Sequence, residues 1–402
     1  MKSLSKTLAP IFFIIGLISS SQVQAEGIHA KPVVPKPLSS LSTNISHDEN
    51  VIFFRTDAWF NAETEQWHLP IHAWVYEPQN SKVRTNLFAK SLEKSYRLEV
   101  TEKNKANFLR RTNLMIADNE RGKQLVINLA GKLYPLKKSQ ANGHIQDEIL
   151  ISKQEIESLL TKRRTSADSE IDVNEGMSSL SSRTIGFTSQ ARGKEGEPPR
   201  LFKGEVMLIN PEGISIISDI DDTIKITDVT DRKALMRNTF LEDFKAVPAM
   251  AEAYREWNNQ QVNIHFVSSS PWHLYEPLIE FMTKANFPWA TLNLKSIRLK
   301  DSSILNLFKK GTETKPAQIE PILLRYPSRQ FILIGDSGEQ DPEVYADIYN
   351  RYQAQILHIY IRNINQEAVN NVRFKEVFSN IPKSQWSLFS DAYTELVAKL
   401  SE

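Results

Sequence analysis

Residues 214–225 constrain the fold of this chain more than any other stretch. They begin with Ile-Ser-Ile-Ile-Ser at 214–218, a β-branched run typical of a strand buried on both faces of a sheet. Three carboxylates follow at once: Asp219, Asp221 and Asp222. Open parallel sheets bind ligands at the carboxyl ends of their strands, and carboxylates crowded there repel one another unless they share a cation. The segment therefore predicts a site for a hard cation such as Mg²⁺, with an Asp-rich surface turn as the simpler alternative.

From residue 204 onward, apolar runs typical of strands alternate with helix-like segments, which is the pattern of βαβ units. After the first strand we expect further strands at 262–267, 292–299, 331–335 and 355–361, separated by helices at 239–257, 275–285 and 316–326. Right-handed crossovers would arrange these strands in a Rossmann-like parallel sheet with helices on both faces. Residues 204–402 are therefore predicted to form one α/β domain.

The string Asp219-x-Asp221-x-Thr223 after an apolar strand resembles the first motif of the haloacid-dehalogenase phosphatase superfamily. The longer string Ser-Asp-Ile-Asp-Asp-Thr-Ile-Lys at 218–225 is similar to the catalytic domain of actin-patch-type phosphatidate phosphatases, which are relatives of the lipins. This resemblance extends over roughly residues 204–400. It implies a sheet of haloacid-dehalogenase type and a phosphomonoester hydrolase.

Two further segments match the second and third motifs of this superfamily. Ser268 follows the second strand, where the family places a hydroxyl that binds a phosphate oxygen. Three consecutive serines leave open which of Ser268, Ser269 and Ser270 has this role. Lys315 precedes the helix before the fourth strand and matches the catalytic lysine, although lysines 309–310 are nearby alternatives.

The fourth motif is matched by Asp336 and Asp341 in Gly-Asp-Ser-Gly-Glu-Gln-Asp at 335–341. The resemblance implies that Asp219 attacks phosphorus to form an aspartyl phosphate, while Asp221 serves as general acid and base and has a raised pKa. It also implies a Mg²⁺ site and groups that hold the phosphate. The expected metal ligands are Asp219, Asp221, Asp336 and Asp341, and the expected phosphate-binding groups are Thr223, Ser268, Ser269 and Lys315. Asp222 is expected to be structural.

No separate cap domain fits between these motifs, because the core's own helices and strands use most of the intervening residues. We therefore expect a catalytic domain without a large cap and with an open mouth. Trp272, His273 and Tyr275 follow the phosphate-binding serines and are predicted to stand on the rim of that mouth. His273 is predicted to contact the substrate.

The amino-terminal residues 1–25 are predicted to be a secretory signal peptide. Lys2 and Lys6 precede an apolar run at 8–18, and small residues lead up to Ala25. The chain contains no cysteine, so it has no disulfide framework. A periplasmic or extracellular location is expected, with no transmembrane helix in the mature chain. Residues 26–50 hold several prolines and serines without periodicity, and are predicted to be a disordered lead-in.

Residues 51–203 are predicted to form a smaller α+β or β-rich accessory domain with its linker. Aromatic and β-branched runs at 51–54, 71–76, 124–129 and 144–152 are typical of strands, and 83–113 is helical in pattern. His68, His72 and His144 show no convincing ligand spacing, so we interpret them as structural or surface residues. The function of this domain cannot be inferred from the sequence.

These features favour a Mg²⁺-dependent phosphatidate phosphatase-like enzyme with a phosphorylated substrate, a lipid at a membrane surface being one candidate. The same chemistry on a soluble phosphoester or on a nucleic-acid terminus is the alternative. A non-catalytic binding module is the second alternative, which the intact pair Asp219 and Asp221 disfavours. The chain has 49 basic and 48 acidic residues, so no nucleic-acid partner is expected from general attraction.

Overall fold

The computed structural model describes residues 43–79, 81–167, 183–296 and 314–397, which belong to one compact unit. The predicted signal peptide at 1–25 and most of the predicted lead-in at 26–50 lie outside the described residues. Lysines 309–310 lie outside them as well. Two sheets organise the rest, with nine and six strands.

The first sheet lies in the amino-terminal half. Its order is β1-β3-β2-β9-β8-β5-β6, with β4 and β7 also paired to β3, and every pair is antiparallel except β2 with β9. The strands are β1 (Asn50–Phe54), β2 (Thr56–Asn61), β3 (Gln66–Glu77), β4 (Asp118–Asn119), β5 (Gln124–Leu129), β6 (Lys132–Lys138), β7 (His144–Ser152), β8 (Thr184–Ala191) and β9 (Arg200–Leu208). Strand β9 thus crosses the predicted boundary between residues 203 and 204.

The long strand β3 shows why both faces of this sheet are covered. Side chains alternate along a strand, and Leu69, Ile71, Ala73 and Val75 are buried in the sheet's own core. Trp74 and Tyr76 point to the opposite face and belong to a core shared with the carboxyl-terminal half. The apolar residues on both faces therefore attach this sheet to the rest of the molecule.

Two helices of this half pack against the second half. The predicted helical stretch 83–113 is divided into α1 (Lys82–Tyr96) and α2 (Lys105–Met115), because Arg97 ends α1 in the left-handed conformation. Arg111 of α2 is buried and donates hydrogen bonds to the carbonyls of Thr239 and Glu242. A third helix, α3 (Lys153–Ala167), follows β7.

The second sheet is fully parallel, as predicted, with order β12-β11-β10-β13-β14-β15. Its strands are β10 (Gly213–Ser218), β11 (Asn263–Pro271), β12 (Thr291–Lys295), β13 (Arg329–Asp336), β14 (Ile356–Arg362) and β15 (Trp386–Phe389). Its helices are α4 (Arg232–Phe240), α5 (Met250–Asn259), α6 (Tyr275–Lys284), α7 (Thr314–Arg325), α8 (Asp341–Tyr352) and α9 (Val372–Val377). The strand β15 was not predicted.

The parallel strands are apolar on both faces because helices cover both. Ile216 of β10 packs into a core with α5 and α6, whereas its neighbour Ile217 packs into another core with α7 and α8. The predicted helix at 239–257 is instead two helices, α4 and α5, because the chain leaves helical geometry between 241 and 249. The predicted strand at 292–299 is observed only as β12, and residues 297–299 lie outside the described part of the chain.

A buried polar contact joins the two halves. The carboxylate of Asp57 on β2 accepts hydrogen bonds from Arg325 Nη1 and from the Tyr326 hydroxyl, both at 2.6 Å. Burial alone would raise the pKa of Asp57, but the charges of Arg325 and His265 and the hydrogen bonds from Tyr326 and Arg325 together keep that pKa below its usual value. Asp57 therefore remains ionised and holds α7 against the first sheet.

Candidate active site

The carboxyl ends of β10, β11 and β13 meet at one edge of the second sheet. Strand β10 lies between the other two, and its last residue pairs with Phe266 on one side and with Ile334 on the other. Asp219 is the next residue in the chain. Its backbone amide donates to the carbonyl of Ile334 at 2.9 Å, and its side chain is almost fully buried. The predicted position of the nucleophile at a strand end is therefore observed.

Three predicted metal ligands lie close together. Asp219, Asp336 and Asp341 each offer a carboxylate oxygen, and these atoms lie within 4.8 Å of one another. Asp219 Oδ1 and Asp336 Oδ2 are buried and accept no hydrogen bond from the described residues. Burial and the neighbouring carboxylates raise the pKa of Asp219 and of Asp336 well above the usual value, against the charge of Lys315. Buried carboxylate oxygens without donors fit the oxygen ligands that Mg²⁺ requires.

Gly335 allows Asp341 to approach this group. A Cβ atom built on Gly335 would lie only 2.3 Å from Asp341 Oδ2. Any larger side chain would push that carboxylate away. The glycine of the fourth motif is therefore explained by space rather than by backbone conformation.

The side chain of Lys315 reaches the same group from helix α7. Its Nζ lies 2.8 Å from Asp219 Oδ1 as an ion pair without hydrogen-bond alignment, and it donates to Glu339 and to Asp341. Burial acts to lower the pKa of Lys315, but the three carboxylates outweigh burial and hold that pKa well above its usual value. Lys315 is therefore a buried, charged cation beside Asp219.

The carboxylate of Asp221 contacts a different set of side chains. Its Oδ1 lies 2.7 Å from Lys225 Nζ and accepts from Thr227, while its Oδ2 accepts from the hydroxyls of Ser268 and Ser270 at 3.1 and 3.0 Å. The side chain of Asp221 is thus held by four donors. Asp221 is not part of the cluster of Asp219, Asp336 and Asp341, and its role as a metal ligand stays a prediction.

The structure contradicts the expected raised pKa of Asp221. Burial would raise this pKa, but the charge of Lys225 and hydrogen bonds from Lys225, Thr227 and Ser270 lower it below the usual value. To donate a proton, Asp221 must first leave this arrangement. The ion pair with Lys225 was missed, although Lys225 lies only four residues beyond Asp221 in the first motif.

The predicted phosphate-binding hydroxyls are not equivalent. Ser268 is fully buried and donates to Asp221, whereas Ser269 lines the cleft and its buried Oγ has no partner among the described residues. Thr223 donates to Asp219 Oδ2 at 3.2 Å. Ser269 therefore has the hydroxyl that is free to meet a phosphate.

Asp222 is structural, as expected. Its carboxylate accepts the backbone amides of Thr227, Asp228 and Val229, and its φ is 55°. Its carbonyl accepts from Arg362 Nη1 at 2.6 Å. This residue fixes the loop after β10, and with it the position of the first motif.

A cleft of about 460 Å³ opens onto these groups. It is lined by Asp221, Ser269, Lys315 and Asp341, and also by Val229, Arg232, Leu235, Glu339, Val344 and Arg373. Arg373 on α9 fixes one side by donating to the carbonyls of Ser337 and Glu339 and to the carboxylate of Glu343. No local pattern in the sequence indicated Arg373, because it lies far from every motif.

The predicted rim residues are buried elsewhere. Trp272 packs against Phe54 of the first sheet, the His273 ring meets Trp74 edge-on, and the Tyr275 hydroxyl accepts the amide of Arg55. All three are under a tenth exposed, and none lines the cleft. The placement of Trp272, His273 and Tyr275 on an open rim was therefore wrong, because the first sheet covers them.

Histidines accumulate in this covered region. His72 Nε2 and His144 Nδ1 lie 2.8 Å apart, and both rings pack near Trp272. Burial lowers the pKa of His144 and of His273 to about 4, with the charge of His144 contributing at His273. The interpretation of His72 and His144 as structural agrees with these contacts.

Acid should therefore destabilise the protein. An unfolded histidine binds a proton below its usual pKa of about 6.5, whereas His144 and His273 in the folded state stay neutral down to about pH 4. Stability is thus complete above pH 6.5 and is lost as the pH falls towards 4, by about 2 kcal/mol per histidine at pH 5. Urea unfolding of the His273→Asn variant should show a shallower decline between pH 7 and 5 than the unaltered protein. Parallel declines would contradict this assignment.

Comparisons with known proteins agree with the predicted family resemblance. Residues 214–363 match the family described as "Phosphatidate phosphatase APP1, catalytic domain". The chain is 36% identical over 158 residues to phosphatidate phosphatase APP1 of Saccharomyces cerevisiae, covering 38% of this chain and 26% of that protein. It is 30% identical over 186 residues to an uncharacterised Schizosaccharomyces pombe protein, covering 45% of this chain and 30% of that protein. These matches confirm the predicted resemblance to phosphatidate phosphatase-like phosphoric monoester hydrolases.

The chain matches less than a third of the length of these two curated relatives. Among solved structures, the D,D-heptose 1,7-bisphosphate phosphatase of Burkholderia thailandensis is similar over 47% of this chain and all of its own. Its sequence identity is 11% and its TM-score is 0.24, which is too low to support a conclusion.

Proposed function

We propose that this protein, whose residues 214–363 match the APP1-type catalytic domain, is a Mg²⁺-dependent phosphatase acting on phosphatidate or a similar lipid phosphomonoester. One observation carries the proposal. Asp219 is buried beside two further buried aspartates and the ammonium of Lys315, and Lys315 and Asp341 of this group line the cleft. This arrangement is suited to phosphoryl transfer, which needs a positioned nucleophile and positive charge.

Bound at Asp219, Asp336 and Asp341, Mg²⁺ would supply positive charge to the phosphoryl oxygens. The chain's own groups carry out the transfer. A carboxylate oxygen of Asp219 forms a bond to phosphorus as the ester bond to the leaving oxygen breaks, which gives an aspartyl phosphate. Lys315 and the Ser269 hydroxyl hold the phosphoryl oxygens.

Asp221 moves the protons. It donates one to the leaving alkoxide, and it then accepts one from the water that attacks the aspartyl phosphate. Inorganic phosphate is released and Asp219 is regenerated. A phosphate that bonds to the nearby serine hydroxyls would remove donors from Asp221, so substrate binding would free that side chain for its role.

The sides of the cleft support a leaving group that is partly apolar. Val229, Leu235 and Val344 line it together with the cation of Arg232. These apolar side chains, next to the cations of Arg232 and Arg373, can contact the apolar part of a lipid phosphomonoester. The open form of the cleft admits a phosphate at the end of a large molecule.

The test is a substrate panel with the purified protein. Phosphatidate in vesicles and in detergent micelles is compared with soluble phosphomonoesters, each with Mg²⁺ and with a chelator. The proposal expects phosphate release that requires Mg²⁺ and is fastest with phosphatidate. Faster phosphate release from soluble phosphoesters would contradict the lipid substrate. Full activity with the chelator would contradict the requirement for Mg²⁺.

The replacement Asp336→Asn should weaken metal binding more than the chemistry, since the buried Asp336 Oδ2 is available as a ligand. We expect the Mg²⁺ concentration for half-maximal activity to rise about tenfold or more, with activity partly restored at high Mg²⁺. A Mg²⁺ titration with phosphatidate measures this. An unchanged midpoint would exclude Asp336 as a ligand.

We further propose that the protein is exported to the periplasm or beyond the cell. The support is the basic and apolar pattern of residues 1–25. No helix among the described residues is long and apolar enough to span a bilayer. Amino-terminal sequencing of the protein recovered from cells tests the export, because a retained residue 1 on all molecules would contradict cleavage.

A further inference from the structure

Helix α1 directs two aliphatic side chains into solvent. Val83 and Leu87 are four residues apart and so lie on one side of the helix, with exposed fractions of 71% and 63%. The opposite side of the helix buries Thr85, Phe88 and Leu92. Helix α1 is thus apolar on two sides, of which only one is covered by the described residues.

Basic residues continue the exposed stripe. Lys90 and Lys94 follow Val83 and Leu87 at helical spacings of three and four residues, and both are exposed. Neither lysine has an acidic partner within ion-pair distance in the described part of the chain. The whole helix carries four basic residues and one acidic residue, Glu93. The exposed side of α1 is therefore aliphatic at its start and cationic at its end.

Helix α4 packs against the buried side of α1 and borders the catalytic cleft. The ring of Phe88 on α1 meets that of Phe240 on α4 with centroids 4.9 Å apart. Helix α4 has no acidic residue and exposes Lys233 and Arg237, while its Leu235 lines the cleft. We call six of the exposed residues of these two helices the α1/α4 face; they are Val83, Leu87, Lys90, Lys94, Lys233 and Arg237.

We propose that the α1/α4 face docks on the surface of an anionic lipid bilayer. Lysine and arginine side chains on this face would meet the lipid phosphates, and Val83 and Leu87 would enter the boundary between headgroups and acyl chains. Charge complementarity identifies the partner, because the six residues of this face are cations and aliphatic side chains, and none of the six is acidic. A nucleic acid would use the cations but would leave the two aliphatic side chains in water.

This inference rests on the proposed lipid substrate, and it explains how such a substrate reaches the cleft. Helix α4 contributes to both the docking face and the cleft, so docking brings the cleft mouth close to the headgroups. A lipid phosphate could then reach Lys315 while its acyl chains stay in the bilayer. The face therefore determines access to the substrate rather than the chemistry.

The experiment measures vesicle binding separately from hydrolysis. The full-length Asp219→Asn protein, which does not turn over lipid, is sedimented with vesicles of phosphatidylcholine alone or mixed with phosphatidylglycerol. We expect at least about tenfold tighter binding to the anionic vesicles, since each basic residue near the surface contributes a factor of about five. Adding Val83→Ser with Leu87→Ser, or Lys90→Glu with Lys94→Glu, should each weaken that binding about tenfold or more.

Matched controls lie on the other side of the second sheet. Leu324 of α7 is 67% exposed and Lys375 of α9 is also exposed, and both helices pack into the core that contains Ile217. Leu324→Ser and Lys375→Glu should leave vesicle binding unchanged. If they weaken binding as much as the changes on α1, the proposal is overturned.

Three other outcomes would also overturn it. These are equal binding to neutral and anionic vesicles, unchanged binding by both α1 double variants, and a dimer in size-exclusion chromatography that the Val83→Ser, Leu87→Ser change dissociates without any vesicle binding. Hydrolysis separates this inference from the proposed function. If the unaltered protein binds vesicles but shows no Mg²⁺-dependent hydrolysis, only the proposed function is contradicted. If it hydrolyses phosphatidate in micelles but does not bind vesicles, only the docking proposal is contradicted.

Discussion

Turnover should fall by about 10⁴-fold or more when Asp219 is replaced by asparagine, while the fold is retained. The amide cannot form the aspartyl phosphate, and it also removes one of three carboxylates that lie within 4.8 Å. Asparagine has nearly the same shape and is neutral, so the buried site loses repulsion rather than packing. Initial rates with phosphatidate at saturating Mg²⁺ measure the effect.

The matched control is Asp228→Asn. Asp228 lies in the same loop, has a φ of 59° that asparagine tolerates, and is exposed, with its carboxylate bonded only to Asn238 among the described residues. It loses the same charge outside the cleft and should keep activity within about twofold. Asp221→Asn should cost about 10²–10⁴-fold, through loss of proton transfer. A near-normal rate in the Asp219→Asn protein would eliminate the covalent mechanism.

Replacing Lys315 with methionine should lower both stability and activity. In the metal-free protein the substitution removes the one buried cation that faces Asp219, Glu339 and Asp341 among the described residues. Breaking a buried ion pair from one side typically costs about 3–5 kcal/mol, because the remaining charges lose their partner. The loss of charge beside the phosphoryl group should lower turnover about 10²–10³-fold.

The raised pKa of Lys315 determines how the stability lost in the Lys315→Met variant depends on pH. The stabilising effect of the Lys315 charge is complete below the ordinary lysine pKa and is lost only as the pH rises through the pKa of Lys315 in the folded protein. The full loss of stability in the variant is therefore expected at neutral pH. Urea unfolding with a chelator and with Mg²⁺ measures the difference in unfolding free energy between the variant and the unaltered protein. We expect this difference to be smaller with Mg²⁺. The control Lys284→Met breaks an exposed ion pair with Glu280 and should change stability little. An equal loss in both variants would mean that Lys315 does not counter the buried carboxylates.

Much of the active site could be predicted because its motifs are local. A strand, a turn and a carboxylate occur within a few residues at Asp219 and again at Asp336, and the parallel sheet brings the two strand ends together. Lys315 could be predicted for the same reason, since it starts a helix that precedes the next strand. Chemistry positioned by strand ends and helix starts is therefore visible in a single sequence.

The interactions between side chains distant in sequence could not be predicted. Arg373 becomes a neighbour of the site only through the packing of α8 and α9. The error over Trp272, His273 and Tyr275 has the same origin. All three residues follow strand β11 and were therefore expected at the mouth, but no local pattern indicates that the first sheet covers that side.

The contacts between the two halves also bear on how the chain folds. Asp57 and Arg325 are separated by 268 residues, and Arg55 and Tyr275 by 220. Native contacts so distant in sequence form late, because the entropy of closing long loops must be overcome before they stabilise anything. The aromatic side of Trp272 and Tyr275 stays uncovered until the first sheet docks. We therefore expect slow folding in which aggregation competes, and a fragment beginning at residue 204 would expose that apolar surface permanently.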